Sequence, residues 1–198
     1  MKEMWNERFA KPEFAYGKEP NKFFKQEIEK LPPGKLLLLG EGEGRNGVFA
    51  ALLGWQVDAV DWSEAGKEKA DKFAEEKKVK INYAVKDLSN YTPEENNYDA
   101  VGLIFLHLDS ELREAVHQKA AASLKSGGVI ILESYSKDQI KNNSGGPKNP
   151  NLLYSLEEIF SDFADLDIIS FSKEKTDLNE SKIHTGEADV IRYVGKRS

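Results

Sequence analysis

Between Gly34 and Glu133, short apolar runs alternate with longer amphipathic stretches. The runs KLLLLG (35–40), QVDAVD (56–61), INYAV (81–85), YDAVGLIFL (98–106) and GVIILES (128–134) have the length and apolar content of buried strands. Helical spacing fills the intervals at 46–54, 64–77 and 110–124. The last of these is opened by Asp109 or Ser110 as a cap and stopped by Gly127 and Gly128. Strands that alternate with helices predict an α/β fold whose mostly parallel sheet is covered on both faces.

The rhythm changes after residue 134. A helix is predicted over 155–163, followed by DLDIISFSKE and ADVIRYVGK, two alternating runs with no helix between them, which read as an antiparallel hairpin. Their connection, KTDLNESKIHTGE, is polar and long for a hairpin loop. The segment SKDQIKNNSGGPKNPN (136–151) is the most linker-like piece and follows a strand end, a place that borders a site. Ahead of the first strand, Trp5, Phe9, Phe14, Tyr16, Phe23 and Phe24 make the N-terminal segment unusually aromatic, and Asn21 caps a predicted helix over 22–30 that ends before Pro32.

With 198 residues the chain is expected to form a single domain, with 1–33 as a helical segment and 34–198 as the core. The absence of cysteine excludes disulfides, thiolate metal sites and a cysteine nucleophile, and three scattered histidines argue against a metal centre. A net charge of -6 provides no basic field for nucleic acid or an anionic membrane, so the expected partner is a small molecule. The first residues lack an apolar signal core, and LLLL is far short of the roughly 20 apolar residues that cross a bilayer, so a cytoplasmic location is expected.

The stretch LLLLGEGEGRNG (36–47) carries the chemistry. It contains GEGEG from Gly40 and GEGRNG from Gly42, after a strand and before a helix, with Asp61 at the end of the next strand. That order suits a nucleotide-like ligand. A dinucleotide, however, brings a pyrophosphate that Glu41 and Glu43 oppose, since charges ~4 Å apart interact by roughly 4 kcal/mol near a protein surface. S-adenosylmethionine has no phosphate and carries an ammonium and a sulfonium. The alternative for both glutamates is exposure to solvent, balanced by Arg45.

Taken together, LLLLGEGEGRNG, VDAVDWS, KDLSNY, YDAVGLIFLHL and LKSGGVIILE, with WNERF and AYGKEPNKFF before them and LNESKIHTGEADVIRYVGK after, resemble the class I S-adenosylmethionine-dependent methyltransferases, and within them the tellurite-resistance TehB and thiopurine methyltransferase-like group. The resemblance implies a Rossmann-like, doubly wound seven-stranded sheet of order 3-2-1-4-5-7-6 with strand 7 antiparallel. It also implies S-adenosylmethionine as cofactor and a small methyl acceptor, with soft nucleophiles such as thiols, tellurite or selenite suggested by the group. Many relatives have Asp where this chain has Leu38, so the usual carboxylate for the methionine amino group is missing, and Glu41 or Glu43 is its candidate replacement.

Ligands of open α/β sheets sit beyond the carboxyl ends of the strands at the switch point. That rule places Gly40, Gly42 and Gly44 under the cofactor, Asp61 at the ribose hydroxyls and Trp62 against the adenine. Asp87 and Leu88 are candidates for the adenine edge, with turn capping as the other role for Asp87. Phe105 ends the fourth strand beside the transferable methyl. His107 is the candidate group to orient or deprotonate an acceptor, against a purely structural histidine. Trp5, Tyr16, Asn21 and Phe23 are candidates for a lid whose aromatic faces attract the sulfonium, against simple packing on the sheet edge. No metal ligand is assigned. The rival readings are a nicotinamide-dependent oxidoreductase, resting on GEGRNG and Asp61, and a non-catalytic S-adenosylmethionine-binding regulator.

Overall fold

A computed structural model describes residues 2–181 and 183–198. Met1 and Lys182, the latter inside the predicted hairpin connection, lie outside the described residues. Strands β1 (Lys35–Leu39), β2 (Gln56–Asp61), β3 (Asn82–Val85), β4 (Tyr98–Ile104), β5 (Leu124–Tyr135), β6 (Asp167–Ser181) and β7 (His184–Lys196) form one sheet of order β3-β2-β1-β4-β5-β7-β6. Every pairing from β3 to β5 is parallel, and β7 runs antiparallel to both β5 and β6.

The four leucines of β1 show how the pattern builds the layers. Successive side chains of a strand point to opposite faces, so a continuous apolar run implies burial on both. Leu37 and Leu39 join one cluster with Val101, Leu103 and Leu132, covered by α5 (Ser110–Ser123) and α6 (Leu156–Asp162) through Val116 and Ile159. Leu36 and Leu38 join the other with Ala100 and Ile131, covered by Phe24 and Ile28 of α2 (Lys22–Ile28) and Ala50 of α3 (Arg45–Leu52). Two further helices, α1 (Lys2–Phe9) and α4 (Glu64–Glu76), pack against each other, with α4 against β3 at that edge of the sheet. Leu38 is 1% exposed in this core.

Two expectations need correction. KTDLNESKIHTGE is not a loop: β6 runs on to Ser181 and β7 begins at His184, and the two strands pair from Lys175↔Asp189 to Ser181↔His184 with one irregularity between Asn179 and Ser181. Its polar residues read as a loop because β6 is the sheet's edge strand and most of it faces solvent. The helix over 110–124 stops at Ser123, ahead of Gly127 and Gly128, and β5 starts at Leu124 with a register shift against β4. Asp109 is its cap, accepting a hydrogen bond from the Leu112 amide.

Asn21 ties the N-terminal segment to the sheet. It is buried, its side-chain oxygen accepts from the Phe24 amide and so caps α2, and its backbone amide donates to the Asn46 side chain. Its Nδ2 donates to Glu133 on β5 at 2.5 Å and to Glu180 on β6 at 3.2 Å. Asn21→Ala removes the cap and takes a donor from two enclosed carboxylates, so urea unfolding is expected to show a loss of about 2–4 kcal/mol; a loss below about 1 kcal/mol would mean that α2 is held by its aromatics alone.

Candidate functional site

The loop from Gly40 to Gly44 leaves β1 at the carboxyl edge of the sheet and enters α3. Gly40, Gly42 and Gly44 all have left-handed φ, +72°, +65° and +88°, which side chains rarely tolerate. A Cβ on Gly40 would come within 2.7 Å of Leu106 Cδ1. The loop is therefore a close-fitting cradle between β1 and the residues that follow β4.

Its two glutamates are not solvent-facing: Glu41 is 7% and Glu43 4% exposed. Glu41 turns under the loop, where its Oε1 accepts from the α3 amides of Asn46 at 2.9 Å and Gly47 at 2.7 Å. The helix N-cap, Gly44, has no side chain to do this. The first turn of a helix is a ready anion site, and here a carboxylate of the chain already fills it. Among the described residues no Lys, Arg or His nitrogen lies within 4 Å of that carboxylate. Burial raises its pKa to about 7, outweighing the two amides and the charge of Arg45. Glu43 points elsewhere, accepting from Lys69 at 2.7 Å and from the Ala15 amide at 2.8 Å. Arg45 does not balance either glutamate by direct contact; it bonds Glu180 at 3.1 Å and the Tyr16 carbonyl.

Asp61 is buried at the end of β2, with one oxygen accepting from Gly42 N and the other from Ser63 N. Each oxygen keeps a further acceptor position, and burial raises the carboxyl's pKa. Trp62, beside it, is half-buried. Asp87 is exposed and caps its own turn: the Ser89 amide and hydroxyl donate to it and hold its carboxyl below the usual range. Leu88 belongs to the core cluster on the α5 face.

At the β4 exit, Phe105 has a left-handed φ of +50°, strained for a residue with a side chain. Its ring lies 4.6 Å from Tyr135 and 5.1 Å from His184, and His107 stacks on Tyr135 at 5.5 Å while lying 6.4 Å from Phe105. Tyr16 meets His184 at 4.6 Å, and Trp5 and Phe9 continue the row of rings. Phe9 lies against Gly42, so the N-terminal segment covers the glycine loop. The Nδ1 of His107 is buried without a hydrogen-bond partner among the described residues. Burial, and then the proximity of His184, lower the ring's pKa to about 4, so it is neutral near pH 7.

Not all the sequence candidates converge. Tyr16, Phe105 and His107 join one aromatic row at the β4 exit, Gly40 to Gly44 and Asp61 line the loop, while Asn21 spends all its polar groups on the protein and Phe23 packs into the core beneath a cation–π contact from Arg192. Sequence reasoning missed Tyr135, Glu133 and Glu180. Glu180 accepts from Arg45, Asn21 and His184; burial works to raise its carboxyl, and His184 and Arg45 together hold it below the usual range. The available signal was a strand-like run ending in charge: Glu133 and Tyr135 close β5, and Glu180 is an acid at the inner end of β6.

Among the described residues, no group of three or more His, Cys, Asp or Glu side chains is placed to hold a metal, and no helix is long and apolar enough to cross a membrane. Comparison with known proteins agrees with the glycine-loop geometry. The family described as "Methyltransferase domain" matches residues 36–128. The probable S-adenosyl-L-methionine-dependent methyltransferase TehB of Haemophilus influenzae is 24% identical over 169 residues, covering 81% of this chain; the chain spans 57% of that relative's length. The crystal structure of Haemophilus influenzae TehB superposes with a TM-score of 0.75 at 16% identity, covering 100% of this chain and 67% of that one. A structure concerned with conversion of a disulfide bond into a thioacetal group during echinomycin biosynthesis gives 0.81 at 17% identity, covering 100% and 92%. Magnesium protoporphyrin IX methyltransferase from Synechocystis, solved with bound S-adenosylhomocysteine, gives 0.65 at 18%, covering 88% and 81%. In sheet order and across residues 36–128, the chain is thus similar to S-adenosylmethionine-dependent methyltransferases, TehB among them.

Proposed function

We propose that the chain is a methyltransferase that takes S-adenosylmethionine as donor and a small molecule as acceptor, with residues 1–33 as the lid of a single domain. One observation carries the reading: Glu41 occupies the α3 amides where a phosphate would bind, and it lacks a cation of its own among the described residues. Buried charges are ordinarily paired. A ligand without phosphate and with an ammonium completes that arrangement, and a pyrophosphate is repelled by it. In this reading Glu41 takes the place of the carboxylate absent at Leu38, since Glu43 is committed to Lys69.

The residues fit the rest of such a ligand. Gly40, Gly42 and Gly44 let the backbone approach closely, Asp61 offers acceptors to two ribose hydroxyls, and Trp62, Leu88 and Asp87 border the adenine. Tyr16, Trp5 and Phe105 present rings to a cation, worth roughly 0.5–2 kcal/mol, and Asn21 holds the lid. When bound, the cofactor supplies a methyl group on a cationic sulfur. His107 faces the acceptor as a neutral imidazole with an open Nδ1, which suits an acceptor that donates an X–H bond, such as a thiol, better than an oxyanion such as tellurite or selenite.

Calorimetry tests the reading. S-adenosylhomocysteine is expected to bind and NADH not to; the opposite result would restore the nicotinamide alternative. Methyl transfer from tritiated cofactor to a thiol panel separates an enzyme from a regulator. Glu41→Gln keeps the acceptor for the α3 amides and removes the charge, so it is expected to weaken S-adenosylhomocysteine by about tenfold, one charge-assisted hydrogen bond, and to leave 5′-methylthioadenosine, which has no ammonium, unchanged. Equal weakening of both ligands would show Glu41 to be structural only.

The raised pKa of Glu41 has two consequences of opposite sign. A ligand ammonium favours the ionised carboxylate, so affinity for S-adenosylhomocysteine is expected to fall as pH drops through about 7. In the free protein the folded state holds the proton more tightly than the unfolded chain. Stability from this group is therefore fully present below about 4.5 and lost as pH rises through about 7. Glu41→Gln is expected to flatten both profiles, measured by calorimetry and by urea unfolding across that range.

A further inference from the structure

Three residues after β4, Leu106, His107 and Leu108, carry the peptide between the cofactor cradle and the start of α5. Among the described residues a single group hydrogen-bonds their backbone: the hydroxyl of Tyr154 donates to the Leu106 carbonyl at 2.6 Å and accepts from the Leu108 amide at 3.0 Å. The two bonds straddle His107.

Tyr154 is itself fixed from three sides. Its amide donates to the Tyr135 carbonyl and its carbonyl accepts from the Lys137 amide, which stitches it to the end of β5. Its ring is buried in the cluster between the sheet and α5 and α6. Arg113, bonded to Asp162, lies over that ring at 5.4 Å, and His117 meets it edge-on. Such a side chain has little freedom to follow the loop, so the loop follows it. The preceding segment, Ser144 to Tyr154, closes the same wall: Gly145 and Gly146 press on Tyr135, where a Cβ at either position would come within 2.7 Å of that side chain.

We propose that Tyr154 is a positioning residue of the acceptor side: its hydroxyl clips the backbone on both sides of His107 and so fixes the imidazole against Tyr135, with its free nitrogen toward the acceptor. The inference rests on the methyltransferase reading, because only that reading makes His107 face an acceptor. It assigns a role to the 136–154 segment as well, that of a rigid wall which carries the clip.

Tyr154→Phe keeps the ring, its core contacts and its stitching to β5, and removes both bonds. Amide exchange of Leu108 is expected to rise by about tenfold or more, while amides of β1 and β5 are unchanged and S-adenosylhomocysteine affinity stays within about twofold. The His107 ring signal, assigned among the three histidines by single substitution, is expected to lose its single position in proton–carbon spectra, which a residue that only adds stability would not alter. Unchanged Leu108 exchange and an unchanged His107 signal would overturn the proposal. So would loosening spread evenly over β1 and β5. If the variant fails to fold, the wild-type protein still decides: Leu108, outside any strand or helix, should be protected like the amides of β4, and fast exchange there would also overturn it. Loss of S-adenosylhomocysteine binding by the wild-type protein would strike the methyltransferase reading instead, a result distinct from all of these.

Discussion

The contact on which the cofactor end of the site depends is the carboxylate of Glu41 against the first turn of α3. A helix start offers oriented amides that must be satisfied, and most nucleotide folds leave them to a phosphate. Here the chain satisfies them itself, from a residue two positions after β1. The cost is a buried acid with no cation bonded to it among the described residues. That cost selects the ligand: whatever rests on this loop stabilises the site most if it is positive and free of phosphate. In the proposed reading the same contact accounts for Leu38: Glu41 supplies from the loop the carboxylate that the strand lacks, and Leu38 packs in the core as an ordinary leucine.

Much of the fold was legible because its signals are local. Apolar runs with turns between them gave the five parallel strands, and the absence of a helical pattern between the last two runs gave the antiparallel pair. The hairpin connection was misread for a physical reason. An edge strand facing solvent has the polar composition of a loop, and only its cross-strand partners, far away in sequence, tell the two apart. The stop of α5 ahead of its glycines has the same origin, since pairing with β4 captured Leu124 before the glycines were reached.

The site was legible in its loop and less so in its wall. Glycines and Asp61 announce themselves by spacing. Arg45 looked like the partner of its neighbouring glutamates because they adjoin it in sequence, but the closer acid in space is Glu180, brought in by β6. Tyr154 gave no signal at all: a tyrosine before a capped helix is ordinary, and its importance lies in where the β4 exit passes. Function here is written partly in nearest neighbours along the chain and partly in neighbours that only the finished sheet creates.

The insertion of β7 between β5 and β6 has a temporal consequence. Glycine loop and Asp61 lie in the first third of the polypeptide, whereas Glu180 and His184, which engage Arg45, Asn21 and Tyr135, come from its final strands. A nascent chain leaving the ribosome can thus shape its cradle early, yet the N-terminal segment finds its last anchors only after β6 and β7 have emerged. Until then Asn21 and Arg45 lack their shared acceptor, Glu180, and closure of that segment waits on the hairpin.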